Sequence, residues 1–422
     1  MALANGWSSK AQLTIDSTLV SANVTNLPVL LISDNFPTEL LGATGGCKDD
    51  GGDIRFTDDI DGTTEYARDI VSVDKVLGTI AVYVKIPSIS SSTDTTFYVW
   101  WNNPNASEPS ETSDSGSKTC WSDYYGVYHF KDMINDWKGV QDSAGKWTNL
   151  TPIGTVATSD GHAEGLVAYD MSPTFGMSIP EPIYFNGLTK DFAFWVNFKG
   201  NPLVLGNWST GTNGIPFGWL APGQFGAGWG NFATQTGYIT DTGWYHILIR
   251  VVAGTATCYI NMVDRTNSSG TAQSQNFQYL GLADTQSPSH SLSELRMTRN
   301  YNNSVDYYSV MYVNESNPSA FVTAGTPIVV TASITITITV VDEDTNPIET
   351  ALVYVDEDFL DPQIMNTPTN ASGVASTTYD GASVGATLRV RKYGYKPFKT
   401  PVTLATTDIT QTVTMITDPQ QV

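Results

Sequence analysis

The stretch SELRMTRNYNNSVDYYSVMYVNESNPSAF, residues 293–321, decides the fold of the middle of this chain. Leu295 and Met297 alternate with polar residues, which is the period-two pattern of a half-buried strand, and the Asn/Ser-rich run at 300–304 ends it. Apolar residues then recur at spacings of three and four up to Pro318, which predicts a short helical turn or a packed corner. Those apolar residues are Tyr307, Tyr308, Met311 and Tyr312.

The same stretch resembles the closing segment of laminin-G or concanavalin-like lectin modules in bacterial, archaeal and phage proteins. In those modules an acid-apolar-Arg strand precedes an aromatic-rich stretch and an Asn-Pro close. The matching residues here are Glu294, Leu295, Arg296, Asp306, Tyr307, Tyr312, Asn317 and Pro318. The resemblance implies a β-sandwich that binds surfaces, and we expect Glu294, Arg296 and Asp306 to hold strands and corner together.

The composition favours many short strands over long helices. Among 422 residues, 36 are Gly and 21 are Pro, and charged residues make up only 15%. Gly and Pro suit turns, and the plentiful Thr, Val and Tyr suit strands. The predicted fold class is therefore all-β, and the length allows two to four domains.

The charge balance bears on partners and location. The formal net charge is -21 and Lys and Arg form no uninterrupted block, so we expect neither nucleic acid nor an anionic membrane as partner. No apolar run approaches the roughly 20 residues needed to span a bilayer. The start, MALANGWSSKAQLTI, shows no basic leader followed by an apolar core, so a secretory signal is not visible.

The cysteines and histidines give no catalytic or metal-binding pattern. Cys47, Cys120 and Cys258 are odd in number and far apart, which predicts buried apolar residues rather than disulfides or ligands. The histidines are dispersed and form no metal-ligand pair. They are His129, His162, His246 and His290. Between Trp121 and Val322 no Gly-x-Ser-x-Gly elbow occurs, so nucleophilic catalysis has no support in that part of the sequence.

The first predicted domain covers residues 1–118. Strand patterns occur at 11–15, 29–32, 79–86 and 95–101. Together with GGCKDDGGDIRFTDDIDG at 45–62, they resemble an uncharacterised β-rich domain commonly fused ahead of laminin-G-like modules. A polar, Pro-containing run at 103–119 is predicted to be a linker or a long surface loop.

The second predicted domain covers residues 119–325 and is the lectin-like, concanavalin A-like sandwich. Residues 191–198 alternate strictly, with Phe192, Phe194 and Val196 on one face, and residues 243–251 and 257–261 are predicted to form a strand pair. The strands at 243–251 and 257–261 match the central strand pair of the lectin module.

The third predicted domain covers residues 326–422. Ile334, Ile336, Ile338 and Val340 alternate with threonines, which predicts a one-sided strand. The order of strands and turns resembles the immunoglobulin/prealbumin-like small sandwich, also called carboxypeptidase-regulatory-like, which is an accessory module in its family. Its length suits seven strands.

Glycosidases also occur on concanavalin-like sandwiches, so an enzyme must be considered. Glycoside hydrolysis needs two carboxyls roughly 5 to 9.5 Å apart, and the hydrolases of this fold usually carry them two residues apart on one strand. Between Trp121 and Val322 no two acids have that spacing. Acids on different strands could still meet, yet we predict that the protein is not an enzyme.

A sugar site is predicted in the loop NWSTGTNGIPFGWLAPGQFGAGWGNF, residues 207–232. Aromatic rings stack on the apolar faces of sugars, while amides bind their hydroxyls. The candidate residues are Trp208, Trp219, Trp229, Asn207, Asn213 and Asn231. The alternative is that these tryptophans fill the sandwich or a subunit interface.

A calcium site is a second candidate. Asp59, Asp61 and Glu65 loosely match a calcium loop, and oxygen ligands suit that ion, although the ligand spacing is incomplete. Solvated turns are the alternative. We expect no cofactor other than this possible calcium.

A lectin-like module with a β-rich companion and a small accessory sandwich resembles phage virion surface proteins. The leading hypothesis is a non-enzymatic head fibre, capsid decoration protein or tail adhesin on the virion surface. Its expected partners are other virion proteins, further copies of the chain and a host or environmental glycan. The alternatives are an extracellular or cell-surface microbial adhesin, a concanavalin-like glycoside hydrolase, and a structural module without glycan affinity.

Overall fold

The structure is a computed structural model. It describes residues 6–131, 142–146, 149–153, 157–171, 176–184, 190–198, 217–221, 224–227, 232–233, 242–252, 255–265, 276–281, 290–298, 303–330, 334–356, 364–379, 384–404 and 408–420. The chain divides into two compact units. Unit 1 comprises residues 1–3 and 10–327, and unit 2 comprises residues 4–9 and 328–422.

The elements of unit 1 are mostly strands. Strands β1 to β6 cover Ser9–Ile15, Val24–Ile32, Arg55–Thr57, Arg68–Asp74, Thr79–Ile89 and Thr95–Trp101. Strands β7 to β12 cover Gly126–Tyr128, Thr151–Ile153, Ala157–Asp160, Val167–Met171, Gly176–Tyr184 and Lys190–Phe198. Strands β13 to β21 cover Phe217–Ala221, Gln224–Ala227, Phe232–Ala233, Gly243–Val252, Thr255–Ile260, Val263–Asp264, Asn276–Gly281, His290–Met297 and Val322–Ala324. Helices α1 to α3 cover Ser117–Cys120, Val305–Ser316 and Pro318–Phe321, and short 3-10 helices cover Ser17–Leu19, Ser33–Asn35 and Thr38–Leu41.

Unit 2 is also built of strands. Strands β22 to β29 cover Ile328–Val329, Ile334–Val341, Leu352–Asp356, Met365–Pro368, Val374–Tyr379, Val384–Arg391, Phe398–Leu404 and Ile409–Thr414. Two sheets face each other, in the strand orders β26-β23-β29 and β25-β24-β27-β28. The prediction of an all-β chain is confirmed, and within the described residues no helix is long and apolar enough to cross a membrane.

The sheets of unit 1 follow the predicted patterns. The largest has the order β18-β17-β16-β12-β20-β10-β9, and the predicted strand pair is found as β16 and β17. The first part of the chain forms the sheet β2-β5-β4 and, together with β21 at residues 322–324, the sheet β21-β1-β6-β3. Smaller sheets have the orders β19-β11-β8 and β13-β14-β15.

One apolar core runs through unit 1. It joins Leu13 and Val84 from the first predicted domain with Trp121, Leu248 and Val310 from the second. Unit 2 starts at residue 328 in this part of the sequence, and the predicted domain boundaries at residues 118 and 325 stay predictions. Cys47, Cys120 and Cys258 are free thiols buried in the protein, as expected.

The predicted linker at 103–119 is a loop fastened to the strands beside it. Both terminal nitrogens of Arg68 on β4 donate to the carboxylate of Glu108, at 2.8 and 2.9 Å. Arg55 donates to the carbonyl oxygen of Ser107, and Lys48 donates to that of Ala106. Such a bidentate Arg-carboxylate pair fixes the orientation of the Glu108 carboxylate as well as its position.

Helix α2 is longer than the turn predicted from the sequence. Ser304 caps it by accepting a hydrogen bond from the backbone N–H of Tyr307, which satisfies a donor of the first turn. Its buried residues share one face at spacings of three and four, and the last two of them, Asn314 and Glu315, are polar. Because polar residues occupy those buried positions, the apolar pattern of the sequence stops early and underestimates the length of the helix.

Candidate functional site

Most of the predicted sugar loop lies outside the described residues. This applies to Asn207, Trp208, Asn213, Trp229 and Asn231. For Trp219 the backbone alone is described, in β13, where it pairs with Phe225 of β14. The sugar site in residues 207–232 therefore stays a prediction.

The predicted calcium loop is described, and its acids have protein partners. A side-chain oxygen of Asp59 accepts hydrogen bonds from the backbone N–H groups of Thr63 and Asp61, at 2.9 and 3.1 Å, and the bond from Thr63 lowers the pKa of Asp59. Glu65 lies 3.0 Å from Nε of Arg55. Among the described residues, no group of three or more His, Cys, Asp or Glu could hold a metal ion. Calcium binding here stays a prediction.

A buried charge network lies where the first and second predicted domains meet within unit 1. At its centre the ring of His129, just after β7, lies between two carboxylates. Its Nδ1 is 2.8 Å from Glu294 on β20, and its Nε2 is 3.0 Å from Asp69 on β4. The indole N–H of Trp121 also donates to Asp69, at 2.8 Å. Because both ring nitrogens face acceptors, the arrangement suits the doubly protonated imidazolium.

Arg296 continues the network from His129 to helix α2. Its guanidinium lies 2.9 Å from Glu294, donates to the hydroxyl of Tyr83 on β5 at 2.7 Å, and pairs with Glu315 on α2. The indole N–H of Trp195 on β12 donates to Glu315 at 2.7 Å. The network therefore ties together strands from three parts of the sequence and one helix.

A β-bulge positions the two charges of β20. On β12, Ala193 and Trp195 are two residues apart, but their partners on β20, Arg296 and Ser293, are three apart. Glu294 lies in this bulge with a φ of 55°, a left-handed backbone conformation that is uncommon for residues other than glycine. Bulges of this kind change the direction of a side chain within a strand.

Burial decides what this network can do. The side chains of His129, Glu294, Arg296 and Glu315 are each at most 2% exposed, and Asp69 is 6% exposed. A substrate cannot reach groups that are closed off to this degree. The network has a triad-like appearance, with a histidine between two carboxylates, but its geometry serves to hold elements together.

The pKa shifts in the network indicate that His129 and Glu294 are charged. Burial alone would lower the pKa of His129, but Glu294 and Asp69 raise it to about 9. Burial would raise the pKa of Glu294, but His129 and Arg296 lower it to about 2. Burial raises the pKa of Glu315, against the opposing effect of Arg296. Near neutral pH, His129 is thus a cation and Glu294 an anion.

Beside the network lies a cluster of aromatic and imidazole rings. His162 stacks on Trp195 with ring centroids 4.4 Å apart, and Trp195 stacks on Tyr312 at 5.7 Å. His246 on β16 contacts Trp195 edge-on at 5.2 Å, and Trp244 contacts His162 edge-on at 6.1 Å. Trp244 and Tyr312 are half-buried. The cluster fills the space between the largest sheet and helix α2.

The two histidines of this cluster differ from His129 because, among the described residues, no carboxylate lies within hydrogen-bond distance of their ring nitrogens. Burial lowers the pKa of His162 and of His246 to about 3. Neither ring nitrogen of His246 has a hydrogen-bond partner within the described structure, and Nε2 of His162 lies 4.0 Å from Glu315. Both rings are therefore neutral at neutral pH, and protonating either would place an uncompensated charge in the core.

Two asparagines fasten helix α2 and its continuation to strand β2. The side-chain amide of Asn314 accepts from the N–H of Leu30 at 2.7 Å and donates to the carbonyl oxygen of Leu30 at 3.0 Å. Asn35 accepts from the N–H of Ile32 and donates to the carbonyl oxygens of Pro318 and Val322. These contacts copy the hydrogen bonds that a neighbouring strand would make.

Sequence reasoning assigned Glu294 and Arg296 to holding strands together, and they do so in the network. It missed Asp69, His129 and Glu315 as their partners. The signal available was weak, since an acid, a histidine or an arginine inside a strand pattern only indicates that a partner exists somewhere. Asp306, the third residue assigned this role, lies in the first turn of helix α2, where a negative charge is favourable.

Comparison with known sequences finds no match. No family model matches the chain. No curated protein matches it either.

Solved structures resemble parts of the chain. Domain 4 of AbnA, a GH43 extracellular arabinanase from Geobacillus stearothermophilus, in complex with arabinotriose, is 20% identical over 45% of this chain and 97% of that one, with a TM-score of 0.35. A structure of botulinum neurotoxin type C, whose cell entry depends upon interaction with two ganglioside molecules, is 9% identical over 66% and 72% of the chains, with a TM-score of 0.35. A Trypanosoma rangeli sialidase is 10% identical over 46% and 33%, with a TM-score of 0.34. With TM-scores below 0.5, these likenesses carry no conclusion about the fold or function of this chain.

Proposed function

We propose that the protein is a non-enzymatic glycan-binding protein displayed on a surface, with the virion surface as its location. The lectin-like segment 119–325 binds the glycan through the aromatic and amide residues of 207–232. Several copies act together, so that weak single sites add up to firm attachment. The neighbouring virion proteins and further copies of the chain are its partners.

One observation carries the non-enzymatic part of this proposal. A glycosidase presents two carboxyls to its substrate, whereas several of the described acids of the lectin-like segment are engaged within the protein. Glu294 and Glu315 are buried against Arg296. The carboxylate of Asp191 accepts from Tyr308, and that of Asp170 accepts from Ser159 and Ser291. Acids committed in this way favour binding over hydrolysis.

The glycan part rests on the sequence of the loop and on its place in the fold. Strands β13 and β14 lie within this range and β15 begins at its end, and the three form a small sheet of their own, which suits a segment that projects from a sandwich. Tryptophans and amides among glycines provide both the stacking faces and the hydrogen bonds that a sugar needs.

The experiment is a glycan array probed with the purified protein, followed by affinity electrophoresis on the polysaccharides that bind. Trp208→Ala combined with Trp229→Ala should abolish retention. Asn213→Ala should weaken it, whereas Asn105→Ala, which alters an exposed asparagine of unit 1, serves as the matched control and should bind normally. A blank array at high protein concentration would refute glycan binding.

Two further measurements separate the remaining alternatives. Release of new reducing ends from a bound polysaccharide would show that the protein is a hydrolase and would overturn the non-enzymatic proposal. Immunogold electron microscopy of purified virus particles, with an antibody against this protein, tests the virion location. Unlabelled particles would refute that location and leave glycan binding standing.

A further inference from the structure

The cations of unit 2 are concentrated in one hairpin. All five Lys and Arg residues of the segment 328–422 lie within residues 389–399, the sequence RVRKYGYKPFK. This range contains no Asp or Glu, although the chain as a whole has a net charge of -21. Because apolar residues separate the cations along the chain, no uninterrupted basic block is visible in the sequence.

Strand pairing brings several of these residues into one row. Arg389 on β27 lies opposite Tyr354 on β24 and opposite Lys399 on β28. Tyr354 in turn lies opposite Asn366 on β25. Directly opposed residues of neighbouring strands share a face. The row crosses three strand spacings, a width of about 14 Å.

The row lies on the outward face of its sheet. The alternating neighbours Val353 and Val355 on β24, and Leu388 and Val390 on β27, are buried in the core of unit 2. Since successive side chains of a strand point to opposite faces, the residues between them point away from the core.

Exposure along this face varies from residue to residue. Asn366 and Lys399 are exposed, and Tyr354 is half-buried. The row therefore presents an aromatic ring, an amide and a cation side by side.

Three cations of this hairpin have no anionic partner among the described residues. Arg389 pairs with Asp356 and is held in the sheet. Arg391, Lys396 and Lys399 are exposed, and none of them forms an ion pair with the described residues. Unpaired cations on an acidic protein are free to bind an anion from outside.

The tip of the hairpin adds a second aromatic ring. Tyr393 is 82% exposed. The loop beneath it is fixed, because Gly394 accepts from the N–H of Asp418 at 2.9 Å and Lys396 donates its N–H to Ile416 at 2.9 Å. A ring that is exposed on a fixed loop loses little conformational freedom when it stacks on a ligand.

We infer that the outward face of the sheet β25-β24-β27-β28, with the hairpin tip, binds an acidic polysaccharide that carries carboxylate or sulfate groups. The sugar faces stack on Tyr354 and Tyr393, the hydroxyls bind Asn366, and the acidic groups bind the unpaired cations. A neutral glycan would leave those cations unused. Three cations are few for a nucleic acid duplex, for which 6 to 10 phosphate contacts are usual. This site is separate from residues 207–232, so it stands or falls independently of the proposed function.

The test is isothermal titration calorimetry of the full chain with oligogalacturonate at low salt. Dextran is the neutral comparison and a single-stranded oligothymidylate is the anionic one. We expect oligogalacturonate to bind, the affinity to fall as salt is added, and dextran not to compete. Combining Arg391→Gln with Lys399→Gln should raise the Kd about tenfold, since two exposed ion pairs are lost.

Matched variants separate this site from general charge effects. Lys75→Gln combined with Lys118→Gln removes the same charge from unit 1 and should leave the Kd unchanged. Tyr354→Ala should weaken binding, and Tyr354→Phe, which keeps the ring, should restore it. Circular dichroism verifies that each variant is folded.

Three results would overturn the inference. The first is no heat of binding with oligogalacturonate at low salt. The second is an equal loss of affinity in the unit 1 control. The third is tighter binding of the oligothymidylate, which would make the surface a single-strand nucleic acid site instead.

Discussion

Units 1 and 2 stabilise their β-sheets in different ways. Between the sheets of unit 2 the core is formed by aliphatic side chains such as Ile336, Ile338 and Leu388. In the interior of unit 1, by contrast, His129, Glu294 and Arg296 lie buried among aromatic rings. The chain thus combines an aliphatic core between the sheets of unit 2 with an interior in unit 1 that encloses a buried charge network.

The difference has a thermodynamic consequence. Burial of aliphatic surface has no dependence on proton concentration. A buried ion pair, however, is sensitive both to pH and to the loss of either partner, because the remaining charge is left without compensation. Unit 1 should therefore respond sharply to changes that leave unit 2 unaffected.

The largest effect is expected from Arg296→Met. It leaves Glu294 and Glu315 buried without their shared cation, so the free energy of unfolding of unit 1 should fall by about 3 to 5 kcal/mol. Tryptophan fluorescence during urea unfolding measures it, since every Trp except Trp7 lies in unit 1. Arg391→Met, on the surface of unit 2, is the control and should change stability by less than about 0.5 kcal/mol.

A companion variant sharpens this result. Adding Glu294→Gln and Glu315→Gln to Arg296→Met removes the stranded charges, so part of the lost stability should return. If the triple variant is no more stable than Arg296→Met alone, the loss comes from packing and not from charge.

Ile338→Ala should produce the second largest effect, this time in unit 2. The side chain is 1% exposed in the core, and its removal leaves a cavity that costs about 2 to 4 kcal/mol. Amide hydrogen exchange of the peptide 334–341 measures the loss. The size of the effect should be the same at pH 5 and pH 7; a pH-dependent loss would contradict the comparison.

Acid should destabilise unit 1 selectively. His162 and His246 have a pKa of 6.5 when unfolded and about 3 when folded, so the stability they contribute is complete above pH 6.5 and is lost as pH falls towards 3. Glu294 acts in the same direction between pH 4.5 and 2. Asp191, whose pKa burial raises to about 6, opposes them as pH falls below that value.

The variant that tests this effect is His246→Leu. Relative to high pH, each of the two histidines lowers the free energy of unfolding by about 2 kcal/mol at pH 5 and by about 0.4 kcal/mol at pH 6.5. Between pH 6.5 and 5 the variant should therefore lose about 1.6 kcal/mol less stability than the parent. Urea unfolding at the two pH values, followed by tryptophan fluorescence, measures the difference. An unchanged slope would mean that His246 does not titrate with unfolding.

Alkaline pH should weaken unit 1 through His129. The pKa of this residue is raised from 6.5 to about 9, so its contribution is complete below pH 6.5 and is lost as pH rises through 9. His129→Gln should flatten the stability profile between pH 7 and 9, at a lower overall stability. A parent profile that is already flat in this range would contradict the imidazolium assignment.

The smallest effect is expected from Thr345→Gly in unit 2. Thr345 has a φ of 66°, which is strained for a β-branched residue and natural for glycine. The variant should be more stable by about 0.5 to 1 kcal/mol, because relief of strain exceeds the added entropy of the unfolded chain. Thr339→Gly, in the extended strand β23, is the matched control and should be destabilising. Hydrogen exchange of the peptide 334–341 compares both.

The sequence predicted those parts of the fold that depend on local pattern. The alternation at 334–340 became β23 with its isoleucines buried, and the alternation at 191–198 became β12. Residues 29–32 and 79–86 became parts of the paired strands β2 and β5. A period of two is visible without knowledge of the neighbours, which is why these strands could be found.

The charge network could not be predicted in this way. His129 is 60 residues from Asp69 and 165 from Glu294, and no spacing rule connects them. The bulge that directs Glu294 depends on a one-residue register shift against β12. The basic surface of unit 2 was missed for a similar reason, because the register between β27 and β28 brings its cations together.

The asparagine contacts on β2 have a consequence for solubility. Strand β2 is the edge of the sheet β2-β5-β4, and the unpaired edge of a sheet can recruit strands from other chains. On this edge Pro28 has no N–H to offer, the N–H and C=O of Leu30 are occupied by Asn314, and the N–H of Ile32 is occupied by Asn35. The polar groups that an aggregating strand would need at these positions are thus already used, so many copies can be crowded together without joining through this edge of the sheet.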